Sequence, residues 1–355
     1  MKLLKETIEL ITEKDCDAER IAMEKIDNLA KPIGSLGTLE KIASKMAGIT
    51  GKTSNKISKR NIIVMCADNG VVDEGVSAAP KSITAILTEN LTTNSTGVSA
   101  LAEFTGTDIT IVDIGVDAVF DNPLIINKKI GMGTKNIAKG PAMTYEQAVS
   151  AIEAGIGIVD NLSTKGYDIF GSGEMGIGNT TTSAAVLCAL SGLPADLTAG
   201  KGAGLTEEQF QNKKRVIEKA IELNTPDPKD PVDVIAKVGG FDIAGLCGCF
   251  LGAAKNKKPI VIDGFISSAA ALCAVRLNEK VRDYLIPSHL SDEPGSAYIM
   301  KEIGVEPMLN LHMRLGEGSG CPLAFQIIDS ALYVMDRMPS FAEASIDDET
   351  LVDIR

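Results

Sequence analysis

The sequence predicts an α/β fold in which helices cover both faces of a parallel sheet. Four short runs rich in β-branched residues are each followed by a glycine-bearing turn and a stretch of helical periodicity. They occupy residues 61–66, 108–113, 167–170 and 259–263. Buried runs that alternate with helices are typical of a parallel sheet. A chain of 355 residues, 45% of them apolar, can bury a large core.

The two ends of the chain predict a smaller helical unit. Residues 1–55 are charged and helical in period, and the loop KPIGSLG at 31–37 interrupts them. The tail returns to helical spacing after Pro322. We therefore predict a small helical domain from residues 1–45 and 325–355, and a large α/β catalytic domain from residues 46–324. The apolar positions of the terminal helices are Ile8, Ile11, Ile21, Ile26, Leu29, Phe325, Ile328, Leu332 and Met335.

Charge and segment composition argue against several classes of partner. A net charge of −12 disfavours nucleic acid and anionic membrane, because both need a basic surface. The first 15 residues contain acids and predict an amphipathic helix, not a secretory signal. The apolar stretch at 241–254 is too short to cross a bilayer. We expect a cytoplasmic protein.

The cysteines predict reduced thiols in a packed core. Their number is odd, and most lie in apolar segments. Cys247 and Cys249 are close in sequence, but the chain has only two histidines and no second cysteine pair. We therefore expect no metal site. The seven are Cys16, Cys66, Cys188, Cys247, Cys249, Cys273 and Cys321.

The segment GSGEMG at 171–176 follows a predicted strand and precedes helix-capping residues at 179–182. We interpret it as a turn whose glycines let a phosphate approach the amides of a helix N-terminus. A dinucleotide site would need an acid at the end of the next strand, whereas Asp196 lies in a loop. A tight turn without a ligand is the third interpretation. Glu174, inside this turn, is either an active-site carboxylate or a helix cap.

The segment RLGEGSG at 314–320 holds one carboxylate, Glu317, between glycines and after the apolar Leu315. A carboxylate partly withdrawn from water has a raised pKa and can act as a general base near neutral pH. The alternative is an exposed glutamate in a surface loop. Ligands bind beyond the carboxyl ends of parallel strands. We therefore expect the turns at 67–70, 171–181, 263–264 and 316–320 to form one composite site.

Three other groups have two interpretations each. The acids at 68–77 could bind magnesium, but their spacing fits no EF-hand loop, so we favour a role in orienting loops. His289 could be a base or a hydrogen-bonded loop residue. Lys213 follows the glycines at 200–204 and, taken alone, looks like a solvated cation on a helix.

These motifs, in their order, resemble the nicotinate-nucleotide:dimethylbenzimidazole phosphoribosyltransferases of cobamide synthesis. The resemblance extends over nearly the whole chain. It rests on KPIGSLGTLE at 31–40, ADNGVVDEGVSAAP at 67–80, GEMGIGNTT at 173–181, VGGFDIAGL at 238–246, IDGFISSAAAL at 262–272, YLIPSHLS at 284–291 and RLGEGSG at 314–320. It implies a Rossmann-like sheet domain, a small helical domain from both chain ends, and a dimer with the active site near the interface.

The resemblance also implies residue roles. Glu317 is expected to be the general base that takes the acceptor's proton, and Glu174 the second active-site carboxylate. The substrates would be nicotinate mononucleotide and a small aromatic acceptor, without cofactor or metal. The expected phosphate and ribose cradle is Gly176, Gly178, Asn179, Thr180, Lys213 and Ser291, with Gly202, Asp263 and Gly264 lining the same cleft.

The acceptor pocket is where the sequence departs from the family. We expect it beside Ala79, Pro80, Leu87, Met175 and Leu315. Members that take dimethylbenzimidazole can present Ser and Gln where this chain has Ala79 and Leu87, so an apolar wall is implied. A benzimidazole or purine-like base and a phenolic acceptor both stay open, the latter with a homologous subunit in a heterodimer. ADNG instead of ADHG, and Cys321-Pro322, are further departures. A dinucleotide-dependent dehydrogenase and an inactive partner subunit are the rival functions.

Overall fold

A six-stranded, all-parallel sheet forms the centre of the computed structural model, which describes residues 1–202, 204–347 and 353–354. The strand order is β3-β2-β1-β4-β5-β6. This is the order of doubly wound dinucleotide-binding folds, in which the chain reverses direction across the sheet between β1 and β4. The predicted α/β class is confirmed. The strands are β1 Arg60–Ala67, β2 Asp108–Gly115, β3 Ile125–Asn127, β4 Ile169–Met175, β5 Ile260–Ile262 and β6 Leu285–Pro287.

Helices cover both faces of this sheet. On one face, α6 packs against α11, and α11 lies on β1, β2 and β4. On the other face, α5 packs against α14, with α5 on β2 and α14 on β4 and β5. The described helices are α1 Lys2–Leu10, α2 Cys16–Asp27, α3 Thr38–Thr50, α4 Ile83–Asn90, α5 Gly97–Thr105, α6 Tyr145–Thr164, α7 Asn179–Ser191, α8 Ala195–Thr198, α9 Glu207–Asn224, α10 Pro231–Val238, α11 Phe241–Lys255, α12 Phe265–Leu277, α13 Gly295–Ile303, α14 Gly320–Arg337 and α15 Phe341–Ala344. Short 3₁₀ helices occupy Gly70–Glu74, Leu91–Thr93 and Glu279–Tyr284.

The prediction of a glycine turn at 171–176 was wrong. β4 continues through Met175, so Glu174 lies on a strand and the turn follows at 176–178. The glycines of this strand have a packing role instead: a side chain at Gly171 would meet Cβ and Sγ of Cys321 at 2.8 and 2.9 Å. Two short strands, β3 (IIN) and β6 (LIP), were missed because they contain only two and one β-branched residues, whereas the equally short β5 (IVI) has three in a row.

The N-terminal helices and the C-terminal tail pack together. Leu29 and Ser340 form an antiparallel bridge, and the N–H of Ala30 donates to Pro339 O at 2.9 Å. Phe325 and Ile328 are fully buried as predicted, whereas Ile21 is 45% exposed, contrary to prediction. The boundary expected at 324/325 falls inside α14. The division into two domains stays a prediction.

The thiols and loop acids have structural surroundings. All seven cysteines are free, and only Cys16 is exposed. Asp68 Oδ2 accepts the N–H of Asp117 at 2.8 Å, and Glu74 accepts the side-chain amide of Asn136 at 2.7 Å, so these acids orient loops. In the described part of the chain, no three His, Cys, Asp or Glu come together as a metal site. No helix within that same part has the length and apolarity to span a bilayer.

Candidate active site

A cavity of about 420 Å³ opens at the carboxyl ends of β1 and β4, the switch point of the sheet. Ligands bind at this position in open α/β sheets. The cavity brings together three of the four turns expected to meet, whereas residues 67–70 lie behind its wall. Its polar lining includes Glu174, Asn179, Thr180, His289, Ser291, Glu293 and Glu317, with Gly176, Gly178, Gly202 and Gly264 as bare backbone.

Glu174 and Glu317 meet at this cavity. Glu174 lies at the end of β4 and Glu317 in the loop before α14, and both are 6% exposed. The backbone N–H of Glu317 donates to Glu174 Oε1 at 3.3 Å. This contact requires Gly173, because a side chain at that strand position would overlap the carbonyl of Glu317. The glycines of 171–173 therefore admit a protein loop, not a phosphate.

Asp263, after β5, holds the Glu317 loop in place. Its carboxylate accepts the N–H groups of Gly318 at 3.1 Å and Gly320 at 2.7 Å. Burial raises the pKa of Asp263, and the nearby His289 opposes this rise. The side chain lies behind the cavity wall, so its role here is to position the loop, while the neighbouring Gly264 lines the cavity.

The Glu317 carboxylate points at the N-terminus of α5. Oε2 accepts the N–H of Val98 at 3.0 Å, a position that favours an anion. Burial nevertheless raises the pKa of Glu317 above its usual value, because it outweighs the lowering of the pKa by the backbone N–H groups of Val98 and Gly97. Its backbone is left-handed, with φ of 63°, which is uncommon for a residue with a side chain. A partly buried carboxylate of this kind is suited to accept a proton.

Glu174 is the more deeply held carboxylate. The side-chain amide of Asn179 donates to both Glu174 Oε2 and Asp242 Oδ2, the latter at 3.1 Å. Burial, reinforced by the nearby charge of Asp242, raises the pKa of Glu174 to about 8. Burial raises the pKa of Asp242 to about 6.

The N-terminus of α7 forms one side of the cavity. Its N-cap residue is Gly178, with φ of 91°, and no side chain caps the helix. Lys213 is buried beside it and donates to Thr180 Oγ1 at 2.8 Å and Gly200 O at 3.0 Å. Burial lowers the pKa of Lys213 to about 8. An uncapped helix N-terminus together with a buried lysine suits a phosphate. Lys213 is thus not the solvated surface cation that its neighbours suggested.

The opposite wall is mainly apolar. Ala79, Leu87, Met175 and Leu315 line it, as expected for the acceptor side. Pro80 is exposed and does not line the cavity.

Sequence reasoning missed two side chains of this region. Asp242 is fully buried behind Glu174, and Glu293 lines the cavity and accepts the N–H of Gly202 at 3.1 Å. Asp242 lies within the motif VGGFDIAGL, which was the available signal, whereas Glu293 lies just outside any recognised motif. His289, for which two interpretations were open, lines the cavity with Nδ1 3.0 Å from Ser288 Oγ.

A doubly wound sheet with a carboxylate-lined cavity and an anion-binding helix terminus at its switch point is typical of enzymes that act on small phosphorylated ligands. Comparison with known proteins identifies the class further. Residues 11–346 match the family model described as phosphoribosyltransferase.

Curated relatives and solved structures agree. The nicotinate-nucleotide–dimethylbenzimidazole phosphoribosyltransferase of Clostridium tetani is 56% identical, over 100% of this chain and 98% of the relative. That of Clostridium acetobutylicum is 53% identical, over 91% and 92%. The crystal structure of CobT from Thermus thermophilus superposes with a TM-score of 0.89 at 34% identity, covering 93% of this chain and 99% of that one. The chain belongs to this phosphoribosyltransferase family, and the resemblance inferred from its motifs is confirmed.

Proposed function

We propose that the protein transfers the 5-phosphoribosyl group of nicotinate mononucleotide to a lower-ligand base such as dimethylbenzimidazole. The products are an α-ribotide and nicotinate, for cobamide assembly. The observation that carries this proposal is the meeting of Glu174 and Glu317 in one cavity beside an uncapped helix N-terminus and Lys213. The relatives' names supply the substrates.

On the donor side, the phosphate is assigned to the α7 N-terminus and Lys213, with Gly176, Gly178, Asn179, Thr180 and Ser291 around phosphate and ribose. The bond from the ribose C1′ to the pyridinium nitrogen breaks, and its electron pair neutralises that nitrogen. The leaving group therefore needs neither an acid nor a metal. Positive charge builds on the ribose, and carboxylates close to it stabilise that charge.

On the acceptor side, Glu317 is assigned as the general base. The lone pair of one ring nitrogen of the acceptor attacks C1′, and the proton on the other ring nitrogen passes to Glu317 as the new glycosidic bond forms, which leaves the product ring neutral. Glu317 is suited to this task because it is partly buried and its position is fixed. Its carboxylate accepts the N–H of Val98, and Asp263 holds the loop by accepting the N–H of Gly318. Correct orientation of the two rings adds to the rate, because the attack becomes effectively intramolecular.

The acceptor is assigned as a benzimidazole because the relatives at 53% and 56% identity carry that name. The apolar Ala79 and Leu87 favour a second candidate, a phenolic ring that attacks through oxygen. This second reaction would use the same donor and the same base.

Incubation of the purified protein with nicotinate mononucleotide and a panel of benzimidazoles, purines and phenols tests the proposal directly. We expect a ribotide of the mass of acceptor plus phosphoribosyl, and one nicotinate released per ribotide. Nicotinate mononucleotide left intact with every acceptor would contradict the proposal. Binding of NADH, detected by its fluorescence, would instead favour a dehydrogenase.

We also propose that the protein acts as a dimer in the cytoplasm. The exposed apolar Leu315 and Ile86 beside the cavity support a covering subunit, and six buried free cysteines support a reducing compartment. Light scattering, alone and with a homologous subunit, distinguishes a monomer, a homodimer and a heterodimer.

A further inference from the structure

A chain of buried polar groups leads from Glu174 away from the cavity. One side-chain amide, Nδ2 of Asn179, donates to carboxylate oxygens of both Glu174 and Asp242. Asp242 is fully buried and begins α11, where its Oδ1 also accepts the N–H of Ile243 at 3.0 Å. Asn179 therefore couples the carboxylate at the cavity to one that does not line the cavity.

The groups that contact this pair directly are mainly acids and amides. The other titratable groups that face Glu174 are Asp263 after β5, Glu317 in its loop and the buried thiol of Cys66 on β1. Within the described ranges, no Lys or Arg forms an ion pair with Glu174, Asp242, Asp263 or Glu317. His289 Nδ1 lies 3.9 Å from Asp263 Oδ1. Lys201 and Arg314 line the same cavity, but they pair with Glu207 and Asp292 instead.

A second asparagine, Asn69, which is neutral, lies against Asp242. Asn69 is fully buried, and its side-chain amide opposes the rise in the pKa of Asp242 that burial causes. A side chain at Gly240 would meet Oδ1 of both Asn69 and Asp242, and one at Gly176 would meet Asp242 and Asn69 as well, so the two lie together. The network can thus gain a positive charge only from the cavity.

Two ionised carboxylates that share one neutral amide in a dry site repel each other. We propose that Asp242 is a positioning residue that acts through Asn179 on Glu174, and that entry of the nicotinate ring, with its positively charged nitrogen toward Glu174 and its own carboxylate directed away, expels to solvent the proton that this pair holds. The proposal rests on the proposed function, since the ring belongs to nicotinate mononucleotide.

The direction of the effect follows from burial. In the free protein Glu174 keeps its proton below a pH of about 8, because its pKa is raised to that value. A cation beside it favours the carboxylate, so binding and proton release are linked. Below about pH 8, affinity for nicotinate mononucleotide rises with pH.

Calorimetric titration at neutral pH in buffers of different ionisation enthalpy measures the protons released. Ribose 5-phosphate serves as the reference ligand, because it has the same phosphate without the ring and cancels proton exchange at Lys213 and the phosphate. We expect nicotinate mononucleotide to release about one proton more than ribose 5-phosphate. In Glu174→Gln this excess disappears.

Asp242→Asn tests the positioning role. Removing its negative charge lowers the pKa of Glu174, so the excess proton release at neutral pH decreases. The acid limb of the pH profile of kcat/KM for nicotinate mononucleotide also moves to lower pH. Asp160→Asn is the control, since Asp160 on α6 likewise accepts an asparagine side chain, Asn256 Nδ2 at 2.7 Å, and does not line the cavity. Because it also loses an ion pair with Lys255, its stability is measured alongside.

The outcomes separate the inference from the function it rests on. Nicotinate mononucleotide that does not bind contradicts the proposed function. Binding with no excess proton in the wild type overturns the inference alone. If Asp242→Asn leaves both the excess proton release and the pH profile unchanged, Asp242 has no positioning role. If Asp242→Asn does not fold, the wild type and Glu174→Gln still decide whether a proton leaves this pair.

Discussion

Glu317 donates its backbone N–H to Glu174 Oε1 at 3.3 Å across 143 positions of sequence. Two further hydrogen bonds hold the same loop: Asp263 accepts the N–H of Gly318, and the N–H of Val98 donates to the Glu317 carboxylate. Each glutamate is therefore placed by the segment that carries the other. Changes to either segment should affect the chemistry more than the binding of the donor.

Glu317→Gln should lower kcat by about 10²- to 10⁴-fold, because an amide cannot take the acceptor's proton. The dissociation constant of nicotinate mononucleotide should stay close to that of the wild type. Steady-state kinetics and calorimetry measure the two quantities. Glu103→Gln, an exposed position at the end of α5, is the control. A near-normal kcat would show that another group is the base.

Lys213→Met should weaken binding of nicotinate mononucleotide roughly 10- to 100-fold, the usual effect of losing a charged hydrogen bond. In the wild type, affinity should fall as pH rises through about 8, because Lys213 then loses its charge. The variant should lack this fall. Lys219→Met, exposed on the same helix, should change neither. Equal losses in both variants would argue against the phosphate assignment.

Gly173→Ala should destabilise the protein by about 1–3 kcal/mol, the usual cost of overpacking. The added methyl group pushes the Glu317 carbonyl away from β4, so activity should fall as well. Gly157→Ala lies in α6 with open space around it and should be neutral or stabilising by about 0.5–1 kcal/mol. Urea unfolding of both variants provides the measurement, and equal stabilities would refute the packing argument.

Glu174→Gln should remove a pH dependence of stability. The folded-state pKa of Glu174 is about 8 and its ordinary value is 4.5, so the native state binds the proton more tightly than the unfolded chain. Stability therefore falls as pH rises between these values, by at most about 1.4 kcal/mol per pH unit for this group. The variant should lose less stability than the wild type over that window. Parallel slopes in urea unfolding would contradict the raised pKa.

Leu87→Gln should shift acceptor preference toward benzimidazoles, because the new amide can bond to a ring edge at the cavity wall. Leu223→Gln, the same change at an exposed position of α9 outside the cavity lining, should leave preference unchanged. Each protein is incubated with dimethylbenzimidazole and p-cresol together, and the ratio of the two ribotides is measured by mass spectrometry. The same product ratio in all three proteins would remove Leu87 from the acceptor pocket.

Much of the fold was accessible from the sequence, because buried β-branched runs and helical periodicity are local signals. The four predicted strands exist, although β4 is displaced toward its carboxyl end. Glu317 could be singled out since its flanking glycines are visible in the sequence. The family resemblance also predicted a phosphate-binding role for Lys213, and the structure shows it buried, against the interpretation from its charged sequence neighbours; the phosphate role stays a prediction.

The rest depended on contacts that no local pattern encodes. The glycines at 171 and 173 look like a phosphate turn, but their role is set by Cys321 and Glu317 far along the chain. Asp242 resembles any acid in the first turn of a helix until Asn179 is seen beside it. Pro80 shares a motif with Ala79, yet only Ala79 reaches the cavity.

The anchoring of the Glu317 loop against β4 has a consequence for refolding. This loop leads directly into α14, so one member of the proposed catalytic pair comes from position 317 of 355 and closes a contact of high sequence separation. Enzymatic turnover should therefore return later than helical circular dichroism when denatured protein is diluted into buffer. A nascent chain that stops before Gly316 would hold a complete central sheet and no proton acceptor.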